Sequence, residues 1–331
     1  MRIFSESIFQ EYYRKHPLIL VDVGASGGLE PHWRSVQKYL HVIGFEPDPR
    51  EFSNLQKQQN NMVKYLNIGL YQEKMAVTYY LLRKQQTSSM FKPNREFLDK
   101  FPEAERFDIM REVKIEVDSL DSQFLINKIN TADFIKIDTQ GSELFILQGA
   151  EKTIKEHVLG LEIEVEFTEL YQNQPLFSDV DNFVRKQGFE LFDIQMVNWK
   201  RKLGKNYHKK RGQLVFGNVL YLRKCKDILR IIDSIPDILE KKSKALKIIA
   251  ISCIYGYFDY AKEVLVTVAG IFDKAELDVV EKTIVSSVRW ESFIPNFKGR
   301  GLIAGIFYSL WDIARPLHNK WAMIDRKLGN V

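Results

Sequence analysis

Short runs of apolar and β-branched residues alternate with helical stretches between residue 18 and about residue 223. This alternation predicts a mostly parallel sheet with helices on both faces, which is a doubly wound α/β fold. A polar, basic segment without helical periodicity separates the final two runs. We expect these two strands to pair antiparallel, because parallel strands are usually joined by a helix. The seven predicted strands are LILVDV (18–23), VIGFE (42–46), VKYLNI (63–68), DFIKID (133–138), VLGLEIEV (158–165), FELFDI (189–194) and QLVFGNVLYL (213–222).

A long insertion separates the third predicted strand from the fourth. Within it, AVTYYLLR (76–83) and EVKIEV (112–117) have the composition of two further strands, and the charged segment 92–111 joins them. We predict that the insertion forms a hairpin or a lid.

Helical periodicity replaces the strand pattern after Arg223, and residues 245–265 predict two helices joined by a tight turn near Gly256. The chain is thus predicted to contain an N-terminal helical extension (1–17), an α/β domain (18–223) and a helical C-terminal domain (224–331). Apolar residues at the spacing of one helix face are Ile228, Ile231, Ile232, Ile235 and Leu239 in one stretch and Leu277, Val280, Ile284 and Val288 in another.

Composition and charge narrow the class of protein. With 45% hydrophobic residues, 27% charged residues and a net charge of only +5, the chain has no strongly basic character that would indicate nucleic-acid binding. No signal peptide is evident, and the apolar run 302–314 is shorter than the ~20 residues of a membrane span. Cys225, Cys253 and the few histidines lack the spacing of a metal site. We expect a cytoplasmic protein without a metal.

A glycine-rich turn, VDVGASGG (21–28), directly follows the first strand and precedes a helix predicted near Pro31. Glycines let the backbone turn sharply and approach a ligand closely at the carboxyl edge of the sheet, where the change of strand order opens a crevice. The residues that we expect to bind a cofactor here are Asp22, Gly24, Ala25, Ser26 and Gly27.

An acidic residue, Glu46, ends the second strand about 20 residues after Gly24. In doubly wound folds a carboxylate at this place accepts hydrogen bonds from ribose hydroxyls, so the ligand is predicted to contain adenosine. The same pocket is predicted to include Pro47, Asn67 and Gly69.

The identity of the cofactor depends on the spacing of the glycines. Sites for nicotinamide dinucleotides favour G-x-G-x-x-G, which Gly24, Gly27 and Gly28 match poorly. S-adenosylmethionine has no phosphate to bind, and a final antiparallel strand pair is typical of the methyltransferases that use it. We therefore favour S-adenosylmethionine over NAD.

One segment, FIKIDTQGSELFILQGA (134–150), resembles the signature of the FkbM family of methyltransferases, K-I-D-x-x-G-x-E-x-x-V/L-x-G-A. VDVGASGG, GFEPDP, VDSLDS (117–122) and EFTELYQNQPLF (166–177) resemble other parts of the family in the same order, so the resemblance covers residues 17–223. Ser26 stands where many members have asparagine. The resemblance implies a seven-stranded class I methyltransferase sheet and O-methylation, often of a sugar or a glycosylated natural product.

Methyl transfer to a hydroxyl needs a base that removes the acceptor's proton. Asp138, at the end of the fourth strand, is the first candidate, although it could instead cap the following helix. Glu143 lies in the first turn of that helix, where the helix dipole also favours an acid. Glu162, Glu164 and Glu166 alternate along the fifth strand on one face. Glu164 is thus a second catalytic candidate and Glu166 a candidate for binding substrate, with a metal ligand as the alternative role of either.

Basic residues are the remaining candidates for contacts with substrate. Lys136 lies within a strand expected to be buried, where a structural ion pair is the alternative role. The loop 200–212 is rich in lysine and arginine, and its Lys209 and Lys210 could bind an anionic acceptor, although a solvated loop is the simpler interpretation.

Three functions are compatible with these features. The first is an S-adenosylmethionine-dependent O-methyltransferase acting on a hydroxyl group, with a saccharide as the expected acceptor. The others are a nicotinamide-dependent oxidoreductase and a non-catalytic scaffold that binds a partner through its C-terminal helices. The apolar segment 297–321 could also contact a membrane surface, the α/β domain or a second subunit.

Overall fold

A computed structural model describes residues 7–34, 36–204, 211–287, 297–314, 321–324 and 326–330. The described strands form two sheets, one of eight strands and one of three. The strands are β1 (Leu18–Val23), β2 (Leu40–Phe45), β3 (Val63–Leu66), β4 (Gly69–Leu70), β5 (Met75–Leu82), β6 (Ile109–Asp118), β7 (Phe134–Ile137), β8 (Gly160–Glu166), β9 (Phe189–Trp199), β10 (Gln213–Arg223) and β11 (Ala322–Ile324).

The large sheet has the strand order β11-β9-β10-β8-β7-β1-β2-β3. The five neighbouring strands β8, β7, β1, β2 and β3 are parallel to one another, whereas β10 runs antiparallel to both β8 and β9. The predicted doubly wound sheet with an antiparallel final strand is confirmed. An eighth strand, β11, was not predicted, because a strand of only three residues is too short to show an alternating pattern in the sequence.

Most of the described helices cover one of the two faces of this sheet. The helices are α1 (Ser7–Lys15), α2 (Pro31–Arg34), α3 (Pro49–Gln56), α4 (Arg95–Leu98), α5 (Leu120–Asn127), α6 (Glu143–Gln148), α7 (Glu151–Glu156), α8 (Phe177–Lys186), α9 (Cys225–Asp233), α10 (Ile238–Ile254), α11 (Phe258–Thr267), α12 (Lys274–Ser287) and α13 (Arg300–Ala314). In the described parts of the chain, none is long and apolar enough to cross a membrane.

The insertion after β3 forms the small sheet, in which β5 pairs antiparallel with β6 and β6 pairs parallel with the short β4. The predicted hairpin is therefore present. A separate apolar cluster lies under the insertion and joins it to β9 and β10 through residues such as Phe107, Tyr171 and Trp199. The insertion is thus packed against the main sheet, beside its carboxyl edge.

The C-terminal helices pack directly on the main sheet. One continuous core contains Leu20 and Val42 from the strands together with Ile249 of α10 and Val264 of α11. The opposite face of the sheet packs against α5 to α8. The predicted boundary at residue 223 therefore marks a change of secondary structure, while the hydrophobic core continues across it.

Two details of the predicted C-terminal helices need correction. The helix expected to include Ile235 and Leu239 is interrupted, since α9 ends at Asp233, Pro236 follows and α10 begins only at Ile238. Residues 301–311 of helix α13 are exposed, so this part of the helix does not pack on the α/β domain. Its contact with a membrane or a second subunit stays a prediction.

Candidate active site

A crevice opens at the carboxyl ends of β1, β2 and β7, where the chain leaves the sheet in three neighbouring loops. Parallel strands bring their carboxyl ends together at one edge, so sequence-distant residues meet there. Six of the predicted site residues line the crevice: Gly24, Ser26, Glu46, Pro47, Gly69 and Asp138.

Backbone packing requires glycine at the start of the glycine-rich turn, independently of any ligand. Gly24 has a φ of +78°, and a Cβ atom there would lie 1.9 Å from the carbonyl oxygen of Asp138. The backbone N–H groups of Gly24 and Ala25 donate to the carbonyl of Phe45, and that of Gly27 donates to the Glu51 carboxylate at 3.1 Å. Ala25 and Gly27 therefore support the turn and do not line the crevice.

Glu46 is 4% exposed and presents its carboxylate to the crevice. Its Oε1 accepts from the Asp48 backbone N–H at 2.8 Å. Within the described residues no protein donor reaches Oε2, which is thus free for a ligand hydroxyl. Burial raises the pKa of Glu46 to about 7. Asn67 lies outside the crevice and donates to the carbonyls of Glu46 and Pro47, so it holds this loop in place.

The insertion supplies one wall of the crevice, through side chains that the sequence analysis missed. Gln85 also donates to Glu51 at 3.2 Å, which ties the insertion to the helix that follows Glu46. The volume left within the crevice is only ≈ 50 Å³, well below the roughly 300 Å³ of a small-molecule site. A ligand must therefore displace some of these side chains, which are Tyr79, Gln85, Gln86, Ser88 and Met90.

Asp138 and Glu164 are joined by the amide of Gln140, which donates to both carboxylates. Asp138 lines the crevice and is partly exposed, whereas Glu164 is buried behind it. Burial, reinforced by the charge of Asp138, raises the pKa of Glu164 well above its ordinary value. Glu164 therefore holds its proton more firmly than an ordinary carboxyl group, and Asp138, which lines the crevice, is the better placed base.

Glu143 and Glu166 are buried and do not line the crevice. Glu143 accepts from the backbone N–H groups of Thr139 and Gly141 at 2.8 and 2.9 Å, so it fixes the loop that carries Asp138. Burial raises the pKa of Glu143 to about 7 and the pKa of Glu166 well above its ordinary value. Glu143 thus supports the loop of the crevice, whereas Glu166 is buried away from the crevice lining.

Lys136 forms the structural ion pair that was its alternative role. Its Nζ lies 3.6 Å from Asp22 and 3.4 Å from Glu30, and neither Lys136 nor Asp22 lines the crevice. Burial disfavours the ammonium, but the carboxylates of Asp22, Asp138 and Glu30 outweigh it and raise the pKa of Lys136. Lys209 and Lys210 lie outside the described residues.

Among the residues that the structure describes, one group of three has ligand atoms close enough for a metal: Glu30, His32 and Glu162, within 4.8 Å of one another. Protein groups already contact both carboxylates. Tyr255 donates its hydroxyl to Glu162 at 2.5 Å, and Lys136 pairs with Glu30. A cation would have to compete with an ammonium at the same place, which disfavours a metal here.

Comparison with known proteins gives one family match. The model of the methyltransferase FkbM domain matches residues 22–191, which include the glycine-rich turn, Glu46 and Asp138. No curated protein matches the chain.

Several solved structures are similar to parts of the chain. The methyltransferase FkbM of Methylobacillus flagellatus KT is 19% identical over 62% of this chain and 43% of its own, with a TM-score of 0.35. This chain thus spans less than half of that protein. Magnesium protoporphyrin IX methyltransferase of Synechocystis PCC 6803, with bound SAM, is 9% identical over 67% and 78%, with a TM-score of 0.33.

A third similar structure is Sp1610 of Streptococcus pneumoniae, a putative tRNA (m1A22) methyltransferase, which is 10% identical over 86% of this chain and 99% of its own, with a TM-score of 0.32. Similarities at these TM-scores support no conclusion about this chain, so the assignment rests on the family match. Because that match, residues 22–191, covers just over half of the 331 residues, the chain belongs to the FkbM family of methyltransferases.

Proposed function

We propose that this protein transfers a methyl group from S-adenosylmethionine to a hydroxyl group of a small acceptor, with a saccharide as the expected class. Membership of a methyltransferase family supports S-adenosylmethionine as the cofactor. The observation that carries the proposal is that Glu46 and Asp138 line one crevice at the carboxyl edge of the sheet.

Two unsatisfied polar atoms fit an adenosine-containing ligand. Among the described residues, no donor reaches Oε2 of Glu46, and the buried Ser26 hydroxyl has no hydrogen-bond partner. Buried polar groups are normally paired, so an orphaned hydroxyl in a crevice indicates a partner that comes from outside the chain. Glu46 would accept from the ribose, and Ser26 and the Gly24 turn would contact the remainder of the cofactor.

When bound, S-adenosylmethionine supplies an activated methyl group. The chain itself then has to orient an acceptor and remove one proton from its hydroxyl. We assign that proton to a carboxylate oxygen of Asp138. Gln140 holds this carboxylate by donating to Oδ1 at 3.1 Å, and Glu143 fixes the backbone of the same loop.

Replacing Glu46 tests the proposed cofactor site. Glu46→Gln keeps the shape but loses a charged acceptor, so we expect the affinity for S-adenosylhomocysteine to fall by about 2 kcal/mol, or roughly 30-fold. Calorimetry measures the change, and Glu73→Gln, an exposed glutamate outside the crevice, is the matched control. Equal affinities of the Glu46 and Glu73 variants would remove Glu46 from the site.

The raised pKa of Glu46 also predicts a pH dependence. Ribose hydroxyls donate, so they bind the carboxylate, which is protonated in the free protein below pH about 7. Affinity for S-adenosylhomocysteine should therefore rise from pH 6 to pH 8, by up to about tenfold per unit below the pKa. Glu46→Gln should remove this part of the dependence. An unchanged profile in the variant would show that another group causes it.

The acceptor class can be identified by its mass. Small-molecule and glycan extracts incubated with the protein and S-adenosylmethionine should gain one methyl group on a hydroxyl. Methylation found only on nucleic acid, or only on nitrogen, would contradict the acceptor proposed here while leaving methyl transfer itself intact.

A further inference from the structure

A second and larger cavity, of ≈ 740 Å³, lies at the opposite edge of the main sheet. Ile19 and His41, near the amino ends of β1 and β2, line it, whereas the crevice is lined by Val23 and Phe45 at the other ends of the same strands. At about 3.3 Å per residue, the two sites are separated by roughly 13 Å of strand. The volume is in the range of sites that hold small organic ligands.

Two buried lysines line this cavity, and a buried aspartate that does not line it contacts both of them. Lys244 and Lys247 of α10, each 5% exposed, line it, and their Nζ atoms lie 2.7 and 2.9 Å from the two carboxylate oxygens of Asp133. Asp133 can neutralise only one of the two ammonium groups. An uncompensated buried charge is costly, so a second anion that reached both ammonium groups would be strongly stabilised here.

The pKa directions of the surrounding groups agree with an excess of positive charge. Burial opposes the carboxylate of Asp133, but Lys244 and Lys247 outweigh this and lower its pKa to about 2. Burial lowers the pKa of Lys244 even though Asp133 is adjacent. Burial also lowers the pKa of His41 and His157, and the charges of Lys247 and Lys244, respectively, lower them further.

The outer part of the cavity combines further cations with apolar side chains. Lys155 lines it and has no acidic partner within the described part of the chain. The exposed side chains of Arg230 and Lys15 each pair with an acidic residue of their own helix, and such surface pairs are weak. The acidic residues of the lining are Glu156 and Glu240. The apolar residues of the lining are Pro17, Ile19, Ile231, Ile235 and Pro236.

We propose that this cavity binds a small organic phosphate, with the phosphate at Lys244 and Lys247 and the organic group against the apolar wall. A phosphate has enough acceptor oxygens to contact two ammonium groups that already share a carboxylate. Inorganic phosphate has no organic group to pack against the apolar lining, so it should bind more weakly than an organic phosphate. This inference is independent of the methyl transfer proposed above.

The test uses the full-length protein and phenyl phosphate as the probe, with inorganic phosphate and phenol as partial probes. Calorimetry should detect one phenyl phosphate per chain, bound more tightly than either partial probe. Lys247→Gln should weaken binding by roughly tenfold or more, since it removes a charged donor. A double variant of exposed lysines outside the cavity, Lys57→Ala with Lys282→Ala, should leave binding unchanged.

A purely structural role of Lys247 predicts a different result. Lys247→Gln leaves Asp133 with Lys244, a balanced pair at 2.7 Å, so the variant should keep a Tm close to that of the wild type without phosphate. Phenyl phosphate should raise the Tm of the wild type and not of the variant, because only a ligand that binds the folded state stabilises it. No saturable binding, or equal binding by the wild type and the variant, would overturn the proposal.

Discussion

A chain that ends at Lys224 is expected to lose its folded, soluble state. Helix α10 buries five large aliphatic side chains in the core that it shares with the sheet and the neighbouring helices, each 2% exposed or less: Leu246, Ile248, Ile249, Ile251 and Ile254. At about 1.5–3 kcal/mol each, their burial stabilises the fold by roughly 7–15 kcal/mol, which equals the whole stability of a typical domain. Truncation would also expose the sheet face that contains Leu20 and Val42.

The yield of soluble protein and a cooperative thermal transition measure this effect. A matched pair of single substitutions separates loss of the core from loss of chain length. Ile249→Asp places a charge in the core and should abolish folding, whereas Ile306→Asp, on a helix where that side chain is 52% exposed, should leave the Tm nearly unchanged. A soluble truncated chain with a sharp transition would contradict the shared core.

Asp138→Asn is expected to lower methyl transfer by about 100-fold or more, because the amide keeps the shape of the side chain but cannot accept the acceptor's proton. Binding of S-adenosylhomocysteine should change far less, since the base acts on the acceptor. Formation of S-adenosylhomocysteine with a methylatable extract as the acceptor measures turnover.

Glu164→Gln is the matched control for Asp138→Asn. Burial raises the pKa of Glu164 and disfavours its charged form, and glutamine is uncharged and preserves an oxygen that can accept from Gln140. Turnover of this variant should stay within a few-fold of the wild type. A large loss of turnover in Glu164→Gln together with a small loss in Asp138→Asn would indicate that Glu164, on the neighbouring strand, is the base.

The parts of the fold that follow from short-range patterns were predictable. A buried parallel strand can be recognised from its own apolar run, and the residue that follows it must lie at the carboxyl edge of the sheet. The positions of Glu46 and Asp138 could therefore be predicted from the sequence. The glycine-rich turn was predictable for the same reason. Glycine is required at position 24 because the backbone there approaches the Asp138 carbonyl. That contact involves a loop more than 100 residues away along the chain, so the sequence pattern could not predict it.

The parts that depend on long-range packing were not predictable. Periodicity shows that α10 is apolar, but not that the sheet is what covers it. Glu143 and Lys136 illustrate the same difficulty at the site, because a charged residue beside a strand end can either face a ligand or hold a loop. Glu143 accepts hydrogen bonds from the backbone N–H groups of Thr139 and Gly141, and Lys136 forms ion pairs with Asp22 and Glu30. These contacts make both residues part of the structure that supports the site.

The most direct test of the central claim is a calorimetric titration of the full-length protein with S-adenosylhomocysteine and, separately, with NAD. The crevice with Glu46 and the unpaired Ser26 hydroxyl predicts one S-adenosylhomocysteine per chain, and the absence of a dinucleotide glycine pattern predicts no binding of NAD. Saturable binding of NAD without binding of S-adenosylhomocysteine would contradict the account of this crevice as a methyltransferase active site.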